Sequence, residues 1–317
     1  MPTSPSITKK SVTGSASSSK PGIEPDIVVP PLARPRLIGG RLFDFSREVA
    51  VMAVINRTPD SFYDQGATFA LEASVAAARR AIDEGADWVD IGGAKFAPGP
   101  PIAIAEEIDR VVPVVAALRD SGVVISVDTF QPEVARASIA AGAHVINDTT
   151  GVHDPRMAEV VAASAATLVI THSLAVPRTA FPSPQYGDVV AEVAAFLAAR
   201  VARAVEHGVP PERLIVDPGH DLNKNTRHSL ELTRRLGEIS ALGWPLLVAV
   251  SNKDFVGESL DRPRGERVEG SLAAAVVCIL NGARIVRMHN VRAAVDAVRM
   301  TETILGFREP AYLRHNI

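Results

Sequence analysis

The chain has 317 residues, 47% of them hydrophobic and 22% charged, with a formal net charge of −3. That length suits one large domain plus a tail, with a core that needs neither disulfides nor structural metal. The balance of charge excludes the concentrated basic surface of a nucleic-acid binder. No apolar run reaches the roughly 18 residues of a membrane span, and the lone Cys278, inside the apolar run Ala273–Leu280, permits no intramolecular disulfide.

Residues 1–35 are rich in Ser, Pro, Thr and Lys. Such a stretch buries too little apolar surface to offset the entropy of ordering it, so it reads as a disordered tail. Lys9 and Lys10 precede no apolar segment, so no secretory signal is expected, and a reducing cytoplasm fits the cysteine usage. Gly39-Gly40 between short apolar pairs predicts a hairpin over 36–49. From Val51 a repeating pattern begins: a short β-branched run, a polar residue, then an alanine-rich helical stretch. The strands are expected at Val51–Ile55, Trp88–Ile91, Val124–Val127, His144–Ile146, Thr167–Thr171, Leu214–Val216, Leu246–Val250 and Ile285–Met288. Their near-continuous apolar character is that of strands buried on both faces. The helices are expected at Leu71–Glu84, Ala105–Arg119, Pro132–Ala141, Arg156–Ala165, Asp188–His207, Ser229–Ile239, Arg267–Asn281 and Val291–Leu305. Eight uninterrupted βα units predict an α/β fold of the closed (β/α)₈ barrel type over 36–310, with 311–317 as a C-terminal tail. No Gly-x-Gly-x-x-Gly turn follows the first strand, which argues against a dinucleotide site.

Chemistry on such a barrel sits just past the strand ends. Those ends carry Asn56, Asp90, Asp128, Asn147-Asp148, His172, Asp217, Ser251-Asn252-Lys253 and Arg287-Met288-His289 in order. Any single Asp or Asn there could simply cap the next helix. Capping does not explain a Lys, an Arg and a His on neighbouring strands. Together they predict a polar mouth, with carboxylates and amides on one side for a flat heterocycle and cations on the other for an oxyanion. His172 is placed to pair with nearby carboxylates. No metal cluster of known spacing and no acyl-transfer triad is visible.

Seven segments in fixed order carry a resemblance: Asn56-Arg57-Thr58-Pro59-Asp60-Ser61-Phe62, Asp90-Ile91-Gly92-Gly93, Ser126-Val127-Asp128-Thr129, Ile146-Asn147-Asp148, Asp217-Pro218-Gly219, Ser251-Asn252-Lys253 and Arg287-Met288-His289. Over roughly Arg36–Arg308 the chain resembles dihydropteroate synthase, a pterin-binding barrel. That family condenses 6-hydroxymethyl-7,8-dihydropterin diphosphate with 4-aminobenzoate and releases diphosphate. The resemblance implies a pterin pocket of Asp128, Asn147, Asp217, Lys253 and Arg287, with catalytic work at Lys253, Arg287 and Asp128. It implies diphosphate contacts at Asn56, Arg287 and His289, an aminobenzoate contact at Ser251, and Mg²⁺ held at Asn56. Sulfone or sulfonamide analogues of aminobenzoate, and a second copy of the chain in a homodimer, are further implied partners.

The departures matter as much. Where the family reads Gly-Gly-Glu-Ser-Thr-Arg-Pro-Gly, this chain reads Gly92-Gly93-Ala94-Lys95-Phe96-Ala97-Pro98-Gly99. Ala97 cannot donate to an oxyanion, and losing one such donor costs about 10²–10³ in rate. Gly219-His220-Asp221-Leu222-Asn223-Lys224 replaces Gly-Phe-Gly-Phe-Gly-Lys, and Asn252 stands where Arg is usual. The pattern is similar to the divergent second branch of the family in actinomycetes, whose members are regarded as weak or inactive. The resemblance therefore implies a pterin binder with weak or no synthase activity. The alternatives are a working synthase in which Lys95 compensates, and a non-catalytic pterin or sulfone binder. Methyltetrahydrofolate-dependent methyltransferases fit the Lys253 and Arg287-His289 motifs less well.

Overall fold

The computed structural model describes Met1 and residues 35–56, 66–94, 99–175, 178–181 and 183–316. Residues 2–34 of the predicted tail, most of the first strand-end loop (57–65) and 95–98 of the second lie outside the described residues. A hairpin of β1 (Arg36–Ile38) and β2 (Arg41–Phe43) comes first, turning on Gly39 and Gly40, both at positive φ. The barrel follows: β3 (Ala50–Asn56), β4 (Trp88–Gly92), β5 (Val124–Asp128), β6 (Val145–Asp148), β7 (Thr167–Thr171), β8 (Leu214–Asp217), β9 (Leu247–Val248) and β10 (Ile285–Met288). Neighbours in sequence are parallel neighbours in space, and β10 returns to pair with β3. Only a bridge from Val216 to Leu246 joins β8 to β9, so the predicted strand over Leu246–Val250 is regular for two residues alone.

The helices are α1 (Gly66–Asp83), α2 (Ile104–Leu118), α3 (Pro132–Ala141), α4 (Arg156–Ala162), α5 (Val189–Glu206), α6 (Thr226–Arg234), α7 (Leu236–Ser240), α8 (Asp254–Leu260), α9 (Val268–Leu280) and α10 (Val291–Ile304). Three differ materially from expectation. The helix predicted over Ser229–Ile239 is two, broken at Arg235, whose guanidinium binds Asp188, Glu231 and Glu238. The helix predicted to Ala165 stops at Ala162, because Ser164 Oγ donates to Val161 O and accepts from Ala166 N. Helix α8 was not expected. It is short and contains Gly257, so its apolar periodicity is too brief to register.

The core has two layers. One lies between strands and helices. The other fills the barrel floor, where Phe43 and Phe45 of the hairpin segment stack and Trp88 meets Phe43 edge-on. That floor includes Met52, Trp88, Val124, Val145, Val169, Ile215, Leu247 and Ile285, one from each barrel strand. Side chains alternate along a strand, so positions two further on also face inward. Six of those eight positions hold Asp90, Ser126, Asn147, Thr171, Asp217 and Arg287, the other two are Val54 and Ala249, and two more steps reach Asn56, Gly92 and Asp128. The same strands thus build an apolar floor and a polar mouth.

Candidate functional site

Helix capping does not account for the strand-end carboxylates. The N-cap of α3 is Gln131, that of α4 is Pro155 and that of α6 is Asn225. Asp128, Asn147 and Asp217 are left for the mouth.

Asp90 is the hub of that mouth, and its side chain is fully buried. Its Oδ1 accepts from Ser126 Oγ at 2.6 Å, and its Oδ2 accepts from Asn147 Nδ2 at 3.1 Å and Arg287 Nε at 2.6 Å. Donors from β5, β6 and β10 therefore meet on one carboxylate of β4. Arg287 Nη2 continues to Asp128 Oδ2 at 3.2 Å. Cation and carboxylates are interleaved rather than segregated on two sides as expected, because the long Arg287 side chain reaches from β10 past β3. Burial and the neighbouring Asp90 push the Asp128 carboxyl up to about 7, against the pull of Arg287. Burial also raises Asp217 to about 6, opposed by the Gly219 N–H that donates to its Oδ1 at 2.7 Å and by the Lys253 cation. The Lys253 ammonium is shifted downward by burial, with Asp221 the strongest opposing charge.

With its Nδ2 committed to Asp90, Asn147 presents a buried Oδ1 that has no partner among the described residues, and the buried Thr171 Oγ1 is likewise unpaired. An unpaired buried acceptor is costly unless a ligand or water completes it. Asp148, next in sequence, faces away and is taken by Thr150 N and Oγ1 at 2.8 and 2.6 Å.

Ser251 and His289 stand together. Ser251 Oγ accepts from His289 N at 3.1 Å and lies 3.0 Å from its Nδ1. Burial and the cations Arg287 and Lys253 push His289 down to about 4, so the ring is neutral at pH 7. A hydroxyl that accepts the backbone N–H can donate its own proton to Nδ1, which leaves the ring proton on Nε2. A cavity of about 250 Å³ is lined by Ser251, Asn252, Lys253, Arg264, Arg287 and His289. A neighbouring cavity of about 450 Å³ shares Asn252, Lys253 and Arg264 and adds Phe181, Asp221 and Leu222.

Asn56 is exposed at the end of β3, with its Oδ1 turned toward Gly92. An amide oxygen suits a hard cation, and no group of three His, Cys, Asp or Glu among the described residues is placed to hold a metal. A single amide oxygen fits an ion that brings further oxygen ligands with it, as one bound to phosphate would.

Among the described residues His172 pairs with no carboxylate. Its Nδ1 accepts from Lys224 Nζ at 2.8 Å, and the same ammonium donates to Gly219 O and Leu222 O at 3.0 and 3.1 Å. Burial pushes Lys224 down to about 7 and His172 to about 2. Asp90, Ser126 and Lys224 all stand in strand-end segments of the sequence, which alone assigns none of them a role. The available signal for Asp90 was a carboxylate at an inward position of an otherwise apolar strand, where burial demands partners.

The family model described as "Pterin binding enzyme" matches residues 52–289. The chain is 46% identical over 267 residues to an inactive dihydropteroate synthase 2 of Mycobacterium leprae (strain TN), covering 82% of this chain and 92% of that protein. It is 39% identical over 261 residues to the dihydropteroate synthase of Escherichia coli (strain K12), covering 82% and 93%. Among solved structures, Burkholderia cenocepacia dihydropteroate synthase complexed with 7,8-dihydropteroate superposes with a TM-score of 0.79 at 37% identity, covering 87% of this chain and 98% of that one. Xanthomonas albilineans dihydropteroate synthase with 4-aminobenzoic acid gives 0.79 at 38% identity, covering 85% and 97%. Among the described residues no helix is long and apolar enough to cross a membrane.

Proposed function

Since the chain belongs to the dihydropteroate synthase family of pterin-binding enzymes, we propose that its barrel mouth binds a 6-hydroxymethyl-7,8-dihydropterin diphosphate-like ligand and turns it over weakly or not at all. The observation that carries the pterin reading is the unpaired, buried Asn147 Oδ1 beside Asp90. It sits in a mouth with Asp128, Asp217, Lys253 and Arg287. In this reading the pterin's amino and ring N–H groups donate to Asp217 and Asn147. Lys253 donates to its carbonyl, and Asp128 exchanges its Arg287 contact for a ring N–H.

Asn56, Arg287 and His289 take the diphosphate, His289 through a neutral Nε2–H. Mg²⁺ bound to that diphosphate would be held at Asn56 and would neutralise charge on the leaving group. Ser251 and the cavity it lines accept the aminobenzoate or a sulfone or sulfonamide analogue. In a productive cycle the arylamine nitrogen attacks the pterin methylene carbon as its C–O bond to diphosphate breaks. Arg287 stabilises the departing charge.

Weak turnover is supported by Ala97 in place of the family's Arg and by the similarity to the inactive mycobacterial relatives. The 39% identity to the E. coli synthase supports a working enzyme as the second reading. Incubating the purified chain with pterin diphosphate, 4-aminobenzoate and Mg²⁺ separates them. The proposal expects calorimetric pterin binding with dihydropteroate formation about 10²–10³ slower than an intact synthase. Ordinary turnover establishes the second reading, and absence of pterin binding at millimolar ligand removes both.

A homodimer belongs to the same reading. An apolar groove of about 270 Å³ between α6, α8 and α9 carries Leu230, Leu260 and Val277, all exposed. A second copy would cover it, and Val277→Glu should then shift sedimentation from dimer to monomer. A cytoplasmic location accords with the single buried thiol of Cys278.

A further inference from the structure

The loop after β8 departs from the family pattern at two glycines, replaced here by Asp221 and Asn223. Both keep the left-handed backbone that glycine would take, with φ of 63° and 51°. Asp and Asn adopt that conformation more readily than other side chains. They also add reach. Asn223 Oδ1 accepts from Ser173 Oγ, Leu174 N and Ala175 N at 2.8, 2.9 and 3.0 Å, tying this loop to the one after β7.

Asp221 reaches the other way. Its Oδ2 accepts from Asp254 N at 2.6 Å and Phe255 N at 3.2 Å, the first two residues of α8, and its Oδ1 accepts from Ser229 Oγ at 2.9 Å. The residue that opens α8 at its N-cap is Lys253, which makes no side-chain cap of its own. Asp221 supplies that cap from a different loop. Arg267 holds the same turn from behind, donating to the carbonyls of Asn252 and Lys253 at 3.0 and 3.1 Å and to Asp254 Oδ1 at 2.9 Å.

We propose that Asp221 is a positioning residue for Lys253: it caps the helix that Lys253 opens and places its carboxylate on the wall of the 450 Å³ cavity that Lys253 also lines. The inference deepens the pterin reading, on which Lys253's ligand contact rests. The groups facing Lys253 are the acids Asp221, Asp217 and Asp128 and the cation Arg287. Lys224 neighbours Lys253 across the loop, as do His220 and His289, both held neutral. Asp254 is engaged by Arg264 and Arg267. Of the acids, Asp221 does most to keep the ammonium charged.

The test uses the full chain with lysine isotopically labelled at Cε. NMR follows its titration from neutral to alkaline pH, and the Lys253 signal is assigned by its loss in Lys253→Arg. Asp221→Asn keeps an acceptor for the backbone N–H groups and deletes the charge. Asp221→Gly keeps the backbone conformation and deletes both. The Lys253 signal should titrate at lower pH in Asp221→Asn than in wild type. Pterin affinity at neutral pH should fall about tenfold in Asp221→Gly, the scale of a lost helix cap. Identical Lys253 titrations in wild type and Asp221→Asn overturn the inference, whether or not pterin binds. A shifted titration in a protein that binds no pterin keeps the Asp221–Lys253 coupling and removes the pterin reading instead.

Discussion

Replacing Arg287 with Met tests the mouth at its centre. Arg287 donates to Asp90 at 2.6 Å, and the two side chains are 17% and 0% exposed. Removing one partner of a buried pair leaves an uncompensated charge, at about 3–5 kcal/mol. Two features favour the low end. Asp90 retains donors from Ser126 and Asn147, and Arg287 is partly solvated, so a cost of about 3 kcal/mol is expected for Arg287→Met. Asp90→Asn should cost less, because Arg287 keeps Asp128. The double variant should then be more stable than the two single costs summed, with a coupling of about 2 kcal/mol. Urea unfolding of the four proteins at neutral pH measures this. A coupling below about 0.5 kcal/mol would mean that the pair behaves as a solvent-screened surface contact, and the mouth would not be pre-organised as described.

Four further outcomes are expected. Asp217→Ala should weaken pterin binding by about 1–3 kcal/mol in calorimetry, the cost of leaving ligand N–H groups unpaired; unchanged affinity would place the pterin elsewhere. Restoring Glu-Ser-Thr-Arg at positions 94–97 should raise dihydropteroate formation, and no rise at all would acquit that loop. His220→Phe should stabilise the chain: His220 is fully buried, its Nδ1 has no partner among the described residues, and burial holds it down to about 3. Its folded value lies below the unfolded one near 6.5, so wild type loses stability as pH falls from about 6.5 toward about 3, by at most about 1.4 kcal/mol per pH unit. The advantage of the His220→Phe variant over wild type should therefore widen on acidification, and a gap independent of pH would refute the assignment of His220 as a buried neutral ring. Burial raises the Cys278 thiol to about 12, so a thiol reagent should label it only as fast as the chain opens.

The strand ladder was legible because strands buried on both faces are written as unbroken apolar runs, and the motifs at their ends share one inward face by simple alternation. Asp128, Asn147, Asp217 and Arg287 could be named that way. What alternation cannot show is which inward groups meet. Asp90 draws donors from three other strands, 36, 57 and 197 residues away along the chain. The Lys224–His172 contact likewise spans 52 residues. His172 was expected beside a carboxylate, yet the loop after β8 delivers an ammonium first. Helix α8 was illegible for a different reason. Its start is set by Asp221, a residue of another loop, so nothing within its own seven residues announces it.

The aromatic plug beneath the barrel has a practical corollary. Phe43 and Phe45 close the floor, and the chain enters at Pro35 on that side, opposite the mouth. A tether joined directly at Pro35 would therefore hang the protein by its closed end. On a sensor chip or bead such an attachment leaves the open end facing the solution, so ligand capture can be measured on oriented molecules without touching any residue that does the capturing.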